Sequence, residues 1–335
     1  MSELVSKYFK YPILITGGAG FLGSHMVALC LEKKVDVVVI DNLSNSDLKN
    51  LRTLEKHFNM PIPFFKIDIR NKDKLNQFFK ELKFSAVIHF AGLKSVTESI
   101  VNPDLYYENN VQGSQYLIDS IKSQGIKKVI FSSSASVYGE PQYFPIDEEH
   151  PIQPMNPYGE TKAQVEQLFV QDSYFNTASV MLLRYFNPVG SYKGLIGEKP
   201  NGIPNNLMPY ILGVARGEYK HLNIYGDNYH TKDGTGVRDY IHVMDLISAH
   251  WAALIYESVG SQVYNVGTGK GVSVKAMIKA FEIINKINIP YQIKPRRPGD
   301  IAACYAAVVR IKKHLHWSAK LNLQDMCRDA WSVNY

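Results

Sequence analysis

The sequence predicts an α/β fold in which a doubly wound parallel (Rossmann-type) sheet is followed by a smaller C-terminal α+β substrate domain. Three observations predict it. Short β-branched runs alternate with longer amphipathic stretches through the first half, which is typical of parallel βαβ units. A glycine-rich turn follows the first run. The length of 335 residues exceeds the roughly 150 expected of one domain, so one or two domains are expected.

The predicted strands are apolar runs that are too short and too β-branched to be helices. They lie near 13–16, 35–40, 64–67, 86–89, 129–131 and 179–183. The amphipathic stretches between them predict helices near 21–33, 72–82, 104–123 and 157–172.

Beyond about residue 185 the pattern changes. Gly, Pro and Asn become frequent and the alternation of strands and helices loosens. We therefore expect two domains, 1–184 and 185–335, with parts of 237–268 as candidates to return to the first domain.

Composition excludes several classes of function. Apolar residues make up 45% and charged residues 20% of the chain, which indicates a globular protein. The net charge of +6 is spread along the whole chain, and the longest clusters of basic residues are pairs. We therefore expect an anionic small molecule as ligand and no nucleic acid. No apolar run approaches the roughly 20 residues of a membrane span, and no signal peptide is evident. The three cysteines, without CxxC spacing, indicate free thiols of a reducing compartment. We expect a cytoplasmic protein without a metal site.

A dinucleotide fingerprint, Gly18-x-Gly20-x-x-Gly23, stands between a predicted strand and a predicted helix. Its glycines permit a tight turn and let backbone N–H groups approach a pyrophosphate at the helix N-terminus. Asp41 ends the next strand, where a carboxylate binds a ribose 2′-hydroxyl and repels a 2′-phosphate. The pattern favours NAD over NADP. The alternative is a glycine turn beside a solvated aspartate.

Two further segments follow predicted strands and so belong to the carboxyl edge of the sheet, where doubly wound sheets bind ligands. Asp68 and Ile69 follow the third strand, and Phe90–Lys94 follows the fourth. The small residues Ala91 and Gly92 would let backbone approach a cofactor. Alternatively, Asp68 caps a helix and Lys94 is a solvated lysine.

A candidate reaction centre combines Tyr158, Lys162 and Ser134. The first two are four residues apart at the start of a predicted helix, so they share one helix face. A tyrosine titrates near ~10 and needs a neighbouring positive charge to act as a base at neutral pH. Ser134 ends a predicted strand and offers a hydroxyl that can share the same substrate proton. Tyr-x-x-x-Lys alone also occurs by chance in many helices.

These motifs resemble the extended short-chain dehydrogenase/reductase superfamily and, more narrowly, its UDP-glucose 4-epimerase family. The resemblance covers about residues 12–331. The strings that carry it are 17–23, 41–46, 89–94, 183–190, 202–209 and 233–243.

The resemblance implies binding residues for NAD and for a UDP-hexose. The cofactor positions are Gly17, Gly18, Gly20, Phe21, Leu22, Gly23, Asp41, Asn42, Leu43, Ser44, Asn45, Ser46, Asp68, Ile69, Phe90, Ala91, Gly92, Leu93, Lys94, Asn109, Ser134, Tyr158, Lys162 and Phe186. The substrate positions are Lys94, Ser134, Tyr158, Asn187, Asn206, Leu207, Asn223, Ile224, Tyr225, Arg238, Arg297, Asp300 and Cys304.

Structural alternatives remain for several of these residues. Arg238 and Arg297 can instead form surface ion pairs with Asp239 and Asp300. Asn187 and Asn206 can form turns or cap helices, and Cys304 can be a buried packing residue.

The implied activity is reversible C4 epimerisation of UDP-glucose and UDP-galactose through a 4-keto sugar, with transient hydride transfer to bound NAD. Cysteine at 304, where relatives restricted to those two sugars have tyrosine, extends the expectation to the N-acetylated UDP-hexoses. The alternatives are a nucleotide-sugar 4,6-dehydratase and a non-catalytic NAD-binding regulatory protein.

The resemblance also implies a homodimer formed through the helices near 104–123 and 157–172. The side chains that offer apolar surface there are Tyr106, Tyr107, Tyr116, Leu117, Leu168 and Phe169. The alternative is that packing within the domain buries them all. One departure from the family pattern is Ala306–Val309, which replaces an Ala-Asp-Pro-Ser type of run and is expected to weaken a helix N-cap.

Overall fold

The computed structural model describes residues 9–199, 202, 204, 206–297 and 299–333, which form two compact units. The first unit comprises the chain up to Gly139, Pro151–Arg184 and Ile247–Tyr264. The second comprises Glu140–His150, Tyr185–Leu246 and the chain from Asn265 onwards.

The described part of the first unit is built on a sheet of seven strands, numbered in chain order, of which the sixth and seventh end one and two residues inside the second unit. They are β1 (Ile13–Thr16), β2 (Val37–Asp41), β3 (Phe64–Lys66), β4 (Ala86–His89), β5 (Lys128–Ser134), β6 (Ser179–Tyr185) and β12 (Gly260–Val266). Their order in the sheet is β3-β2-β1-β4-β5-β6-β12, and the pairs β1–β2, β1–β4, β2–β3 and β4–β5 are parallel. The order reverses direction between β1 and β4, which makes their carboxyl ends the switch point where such sheets bind ligands. The predicted fold class is confirmed.

Helices follow most of these strands. They are α1 (Phe21–Glu32), α2 (Lys49–Phe58), α3 (Lys72–Glu81), α4 (Val96–Val101), α5 (Pro103–Tyr106), α6 (Gly113–Gln124) and α7 (Pro157–Gln171). The predicted stretch 104–123 is helical, but it is not one continuous α-helix. A π-helical stretch, Tyr107–Gln112, separates α5 from α6, because its wider turns interrupt the α-helical hydrogen-bond pattern.

The described residues of the second unit form small sheets and five helices or parts of helices. The strands are β7 (Asn187–Val189), β8 (Ser191–Tyr192), β9 (Ile196–Gly197), β10 (Leu222–Tyr225), β11 (Val237–His242), β13 (Gly271–Ser273), β14 (Tyr291–Lys294) and β15 (Ala303–Cys304). The helices are α8 (Leu207–Ala215), α9 (Val243–Ile255, which continues into the first unit), α10 (Val274–Asn285), α11 (Val309–Leu315) and α12 (Leu323–Trp331). β11 pairs with β7, β13 and β15, and β10 pairs with β14.

Each unit has its own hydrophobic core. In the first, Val87 and Val129 of the sheet pack with Phe78 and Leu117 of the helices. In the second, Ile211, Leu222, Phe281 and Cys327 are among the buried core side chains. Among the described residues no helix has both the length and the apolar character that a bilayer crossing requires.

The apolar surface predicted for a homodimer is partly wrong. Tyr106, Leu117 and Phe169 are 0% exposed. Leu117 and Phe169 pack in the core of the first unit, and the Tyr106 hydroxyl accepts from Ser95 N and donates to Glu98. On these helices the exposed large apolar side chains are Leu105 and Val170, and three more, Val96, Ile100 and Val101, lie on the neighbouring α4.

The atypical segment 306–309 leads into α11 without a capping side chain. Val308 occupies the N-cap position, and its side chain has no oxygen to accept from the first N–H groups of the helix. The helix whose N-cap was expected to be weak is therefore α11.

Candidate active site

The glycine turn after β1 is as tight as the fingerprint requires. Gly17 has a φ of +67°, and a Cβ on it would lie 2.6 Å from the backbone nitrogen of Ala91. A Cβ on Gly23 would lie 2.2 Å from the Gly17 oxygen. Gly20 is the N-cap of α1 and supplies no side-chain cap. The first N–H groups of α1 therefore have no capping side chain, and the turn brings backbone, not side chains, to the helix terminus.

Asp41 ends β2 and holds the following loop in place. Its carboxylate accepts from Ala19 N (3.1 Å), Leu43 N (2.9 Å) and Ser46 Oγ (3.0 Å). The side chain is buried, whereas Ser44 and Asn45 are exposed. One carboxylate thus links the glycine turn to the loop after β2.

Asp68 is not a helix cap, since Asn71 caps α3. It accepts from Asn42 Nδ2 (3.0 Å) and pairs with Arg70 (2.8 Å). The Arg70 hydrogen bond lowers the pKa of Asp68 to about 2, so the group is an anion at neutral pH. Ile69 beside it is buried.

The segment Phe90–Lys94 after β4 is fastened by an asparagine of the π-helical stretch. Asn110 Oδ1 accepts from Leu93 N (2.8 Å), and its Nδ2 donates to Leu93 O (3.0 Å). Asn109 is buried and donates to Asn110 Oδ1 (2.9 Å). Lys94 at the end of the segment is exposed. The sequence analysis missed Asn110, although it adjoins Asn109.

A buried histidine that the sequence analysis also missed lies under this segment. His89 Nδ1 lies 2.7 Å from Thr16 Oγ1, and His89 Nε2 lies 2.8 Å from Ser114 Oγ. Burial lowers the pKa of His89 to about 3, so the ring is neutral. A polar residue at the end of the apolar strand was the signal in the sequence.

Tyr158 and Lys162 lie in the first turns of α7, which begins at Pro157 and is capped by Asn156. Both side chains are buried, and Lys162 Nζ lies 6.0 Å from the centre of the Tyr158 ring. The ammonium donates to Ser132 O (2.9 Å). Burial lowers the pKa of Lys162 to about 8, and the charge of Glu166 opposes that shift.

Ser134 is the last residue of β5 and is also buried. Its hydroxyl accepts from Ser136 N and donates to Ser136 Oγ, both at 3.1 Å. Lys162 is thus bonded to the strand that Ser134 ends, so one strand positions both groups.

Beneath the reaction centre lies an ion pair that the sequence analysis missed. Arg184 Nη2 lies 2.6 Å from Glu166 Oε2, and both side chains are less than one tenth exposed. Arg184 also donates to Tyr138 Oη (3.1 Å), and Ser133 donates to Glu166. Glu166 follows Lys162 by four residues, and Arg184 interrupts an apolar strand, so both signals were present in the sequence.

In the second unit, two arginines share one carboxylate. Arg238 Nη2 lies 2.9 Å from Asp300 Oδ1, and Arg297 Nη2 lies 3.0 Å from Asp300 Oδ2. Arg297 also lies over the ring of Tyr225, 4.9 Å from its centre. Asp239 takes no part, because it accepts from the backbone of Thr268, Gly269 and Ala306.

Other predicted substrate residues lie on neighbouring elements of this unit. Asn206 is the N-cap of α8, ahead of Leu207, but its side chain donates to Glu198 instead of capping the helix. Asn223 donates to Tyr210 Oη (3.2 Å). Ile224 is a core residue, so only its backbone can reach a ligand. Asn187 is exposed on β7 and Phe186 beside it is buried.

Cys304 lies on β15 in register with Arg238 of β11 and is partly exposed. Burial raises the pKa of this thiol to about 11, so it is neutral. All three cysteines are free thiols.

Comparison with known proteins identifies the family. The model of the family described as GDP-mannose 4,6 dehydratase matches residues 14–330. The UDP-glucose 4-epimerase of Bacillus subtilis is 48% identical over 324 residues, which is 95% of each chain. The chain therefore belongs to the family that this model describes. Its similar relatives place it among the UDP-glucose 4-epimerases of that family.

Solved structures agree with this epimerase assignment. The UDP-glucose 4-epimerase of Bifidobacterium longum, in complex with NAD+ and UDP, is 46% identical with a TM-score of 0.91, covering 96% of this chain and 97% of that one. The epimerase of Stenotrophomonas maltophila, with bound NAD and formylated UDP-arabinopyranose, is 42% identical with a TM-score of 0.92 and the same coverage.

Proposed function

We propose that this chain interconverts UDP-glucose and UDP-galactose by inverting C4 through a 4-keto sugar, with NAD as its bound cofactor. The observation that carries the proposal is the buried pair Tyr158 and Lys162, fastened to the strand that Ser134 ends. The names of the epimerase relatives support the same reaction.

The residues of the first unit fit NAD. The backbone at Gly17–Gly23 and the uncapped start of α1 suit a pyrophosphate, because N–H groups and the helix dipole favour an anion there. Asp41 suits a ribose with free hydroxyls and would repel a 2′-phosphate. When bound there, NAD would supply reversible hydride transfer for the sugar C4.

Tyr158 serves as the base that takes the proton from the sugar 4-hydroxyl. The Lys162 ammonium favours the phenolate, because an opposite charge nearby stabilises the ionised form. Ser134 shares the proton of the same oxygen. The buried bond from Lys162 to Ser132 O keeps the ammonium oriented, so no rearrangement is needed before proton transfer.

The second unit supplies the residues for the UDP moiety. Arg238 and Arg297 suit the diphosphate, because guanidinium forks match phosphate geometry. Asn187, Asn206 and Tyr225 contribute amide and aromatic contacts. Because the nucleotide carries most of the binding energy, the hexose is left free to turn and present its other face.

The rival activities lack their residues. A 4,6-dehydratase needs an added acid and base, usually Asp-Glu, directly after the serine strand, whereas this chain has Ala135–Tyr138 there. A non-catalytic NAD-binding protein commonly loses Tyr or Lys of the pair, and both are present.

Two assays test the proposal. Purified protein incubated with UDP-galactose should yield UDP-glucose without net change in oxidised cofactor. Denatured protein should release NAD or NADH, identified by mass spectrometry. No turnover would contradict the activity, and release of mainly NADP would contradict the role of Asp41.

Cys304 favours a broader substrate range that includes UDP-N-acetylglucosamine and UDP-N-acetylgalactosamine. Its side chain is much smaller than tyrosine and lies in register with Arg238. Cys304→Tyr should abolish turnover of the acetylated pair and spare UDP-galactose, while Cys304→Ser keeps both. Equal loss of both activities in the tyrosine variant would remove Cys304 as the gate.

A homodimer is part of the proposal. Ile100 and Val101 are 59% and 73% exposed and belong to an apolar group on α4 and α5. Covering such a face removes apolar surface from water. Light scattering should give a dimer at micromolar concentration, which Ile100→Asp weakens and the control Val259→Asp does not. A monomeric wild type would contradict the proposal.

A further inference from the structure

Tyr229 is a buried tyrosine of the second unit that the proposed mechanism does not use. It lies in the loop between β10 and β11 and is 7% exposed. The backbone on both sides is fixed, since Tyr229 N donates to Gly234 O (2.9 Å) and Thr231 N donates to Tyr229 O (2.8 Å). The ring therefore has a defined position.

The hydroxyl of Tyr229 has no hydrogen-bond partner among the residues that the structure describes. A buried hydroxyl without a partner loses its hydration and gains nothing in return, so native proteins seldom leave one. The nearest guanidinium does not serve it. Arg296 lies over the face of the ring, 3.9 Å from its centre, and donates to Asn228 Oδ1 (2.7 Å).

The charges around Tyr229 are mostly positive. Burial raises the pKa of Tyr229, and the charges that act on its hydroxyl belong to Asp300, Arg296, Arg238 and Arg297. Asp300 is the one carboxylate in this set and already pairs with Arg238 and Arg297. Three guanidinium groups carry three positive charges, and one carboxylate carries one negative charge. The net positive charge near the hydroxyl favours an anion as the acceptor of its hydrogen bond. A hydroxyl bound to an anion makes a short and strong hydrogen bond.

We propose that Tyr229 Oη donates a hydrogen bond to a phosphate oxygen of the nucleoside diphosphate, which makes Tyr229 a further substrate-binding residue. The inference rests on the proposed function, because the diphosphate comes from there. It adds a neutral donor to the two arginines already assigned to the same group.

The test is Tyr229→Phe in the full-length holoprotein, with UDP as the probe. Calorimetry should show Kd for UDP raised about 10- to 100-fold, as expected for a hydrogen bond to a charged group. The Tm without UDP should stay the same or rise, because the variant removes a buried group that has no partner. The control Tyr174→Phe breaks the bond to Ile126 O, so it should lower Tm and leave Kd unchanged.

Each other outcome overturns the inference. A Tyr229→Phe protein that is unstable or unfolded without UDP would show that the hydroxyl is satisfied inside the protein. Unchanged Kd for UDP would show that the ligand does not use it. An equal loss of affinity for uridine would move the acceptor from the phosphate to the nucleoside. If wild type itself binds no UDP, it is the proposed function that fails.

Discussion

Lys162 of the first unit and Arg297 of the second are both cations among the candidate site residues, but the protein holds them in opposite ways. Lys162 is 6% exposed and donates to a backbone carbonyl. The Arg297 side chain is 49% exposed and shares one carboxylate with Arg238. A group that is already desolvated and oriented suits the chemical step, because it needs no reorganisation. A group that keeps water and a shared partner suits reversible binding of a charged ligand.

The variant expected to have the largest effect is Tyr158→Phe, which tests the chemical side of this contrast. The variant keeps the ring but loses the proton acceptor, so kcat should fall by about 10²–10⁴. Kd for UDP should stay near the wild-type value, because the arginines are untouched. The control is Tyr107→Phe. It removes a hydroxyl that donates to Glu160, which lies on α7 with Tyr158, and it should keep most activity. Near-normal turnover in Tyr158→Phe would contradict the assignment.

Arg184→Met tests whether the buried side of the contrast also stabilises the fold. It leaves the Glu166 carboxylate buried without its main partner, so the free energy of unfolding should fall by about 3–5 kcal/mol. Arg328→Met breaks an exposed pair with Asp325 and should cost less than about 1 kcal/mol. Urea denaturation measures both. Equal losses would show that burial of the pair does not matter.

Arg238→Met tests the residues assigned to ligand binding, through the partly buried arginine that shares Asp300 with Arg297. Loss of charge-assisted hydrogen bonds should raise Kd for UDP about 10- to 100-fold with little change in kcat. Arg310→Met, which breaks pairs with Glu148 and Glu149, should leave Kd unchanged. A fall in kcat alone for Arg238→Met would erase the distinction between the two groups of residues.

The smallest effect concerns an N-cap of the second unit. Val308→Ser gives α11 a side-chain acceptor and should raise the free energy of unfolding by about 0.5–2 kcal/mol. Val309→Ser, one residue later and 73% exposed, supplies no cap and should not stabilise. The urea midpoints decide, and equal midpoints for Val308→Ser and wild type would show that the first N–H groups of α11 are satisfied in another way.

Local patterns predicted the sheet well because its strands are defined by burial. β1 and β4 have the predicted bounds, since each is a short and fully buried run of four residues, and a glycine turn ends β1. The stretch 104–123 is helical as predicted, but its division by π turns was not predicted, because such an interruption has no simple sequence signal. α2 was missed, since its polar composition hides a stripe of only two buried leucines, Leu51 and Leu54.

The site divides in the same way. Gly17–Gly23, Asp41 and the Tyr158–Lys162 pair follow from short spacings on single elements. The Glu166–Arg184 pair and the shared carboxylate at Asp300 join residues 18 and 62 positions apart. Such pairings depend on the tertiary arrangement. Tyr229 could not be found at all from spacing, because what distinguishes it is the lack of a described partner for a buried hydroxyl.

The hydrogen bonds around His89 have a single allowed direction. Ser114 donates its only hydroxyl proton to Asn110 O, so toward His89 it can only accept. Nε2 must therefore carry the ring proton, and Nδ1 accepts from Thr16, which itself accepts from Ala91 N. The ring is fixed as one tautomer, and the series ends on a backbone group at each side. This series of hydrogen bonds cannot relay a proton unless every bond in it reverses direction. Its role is structural, because it connects the ends of β1 and β4 to the π-helical stretch.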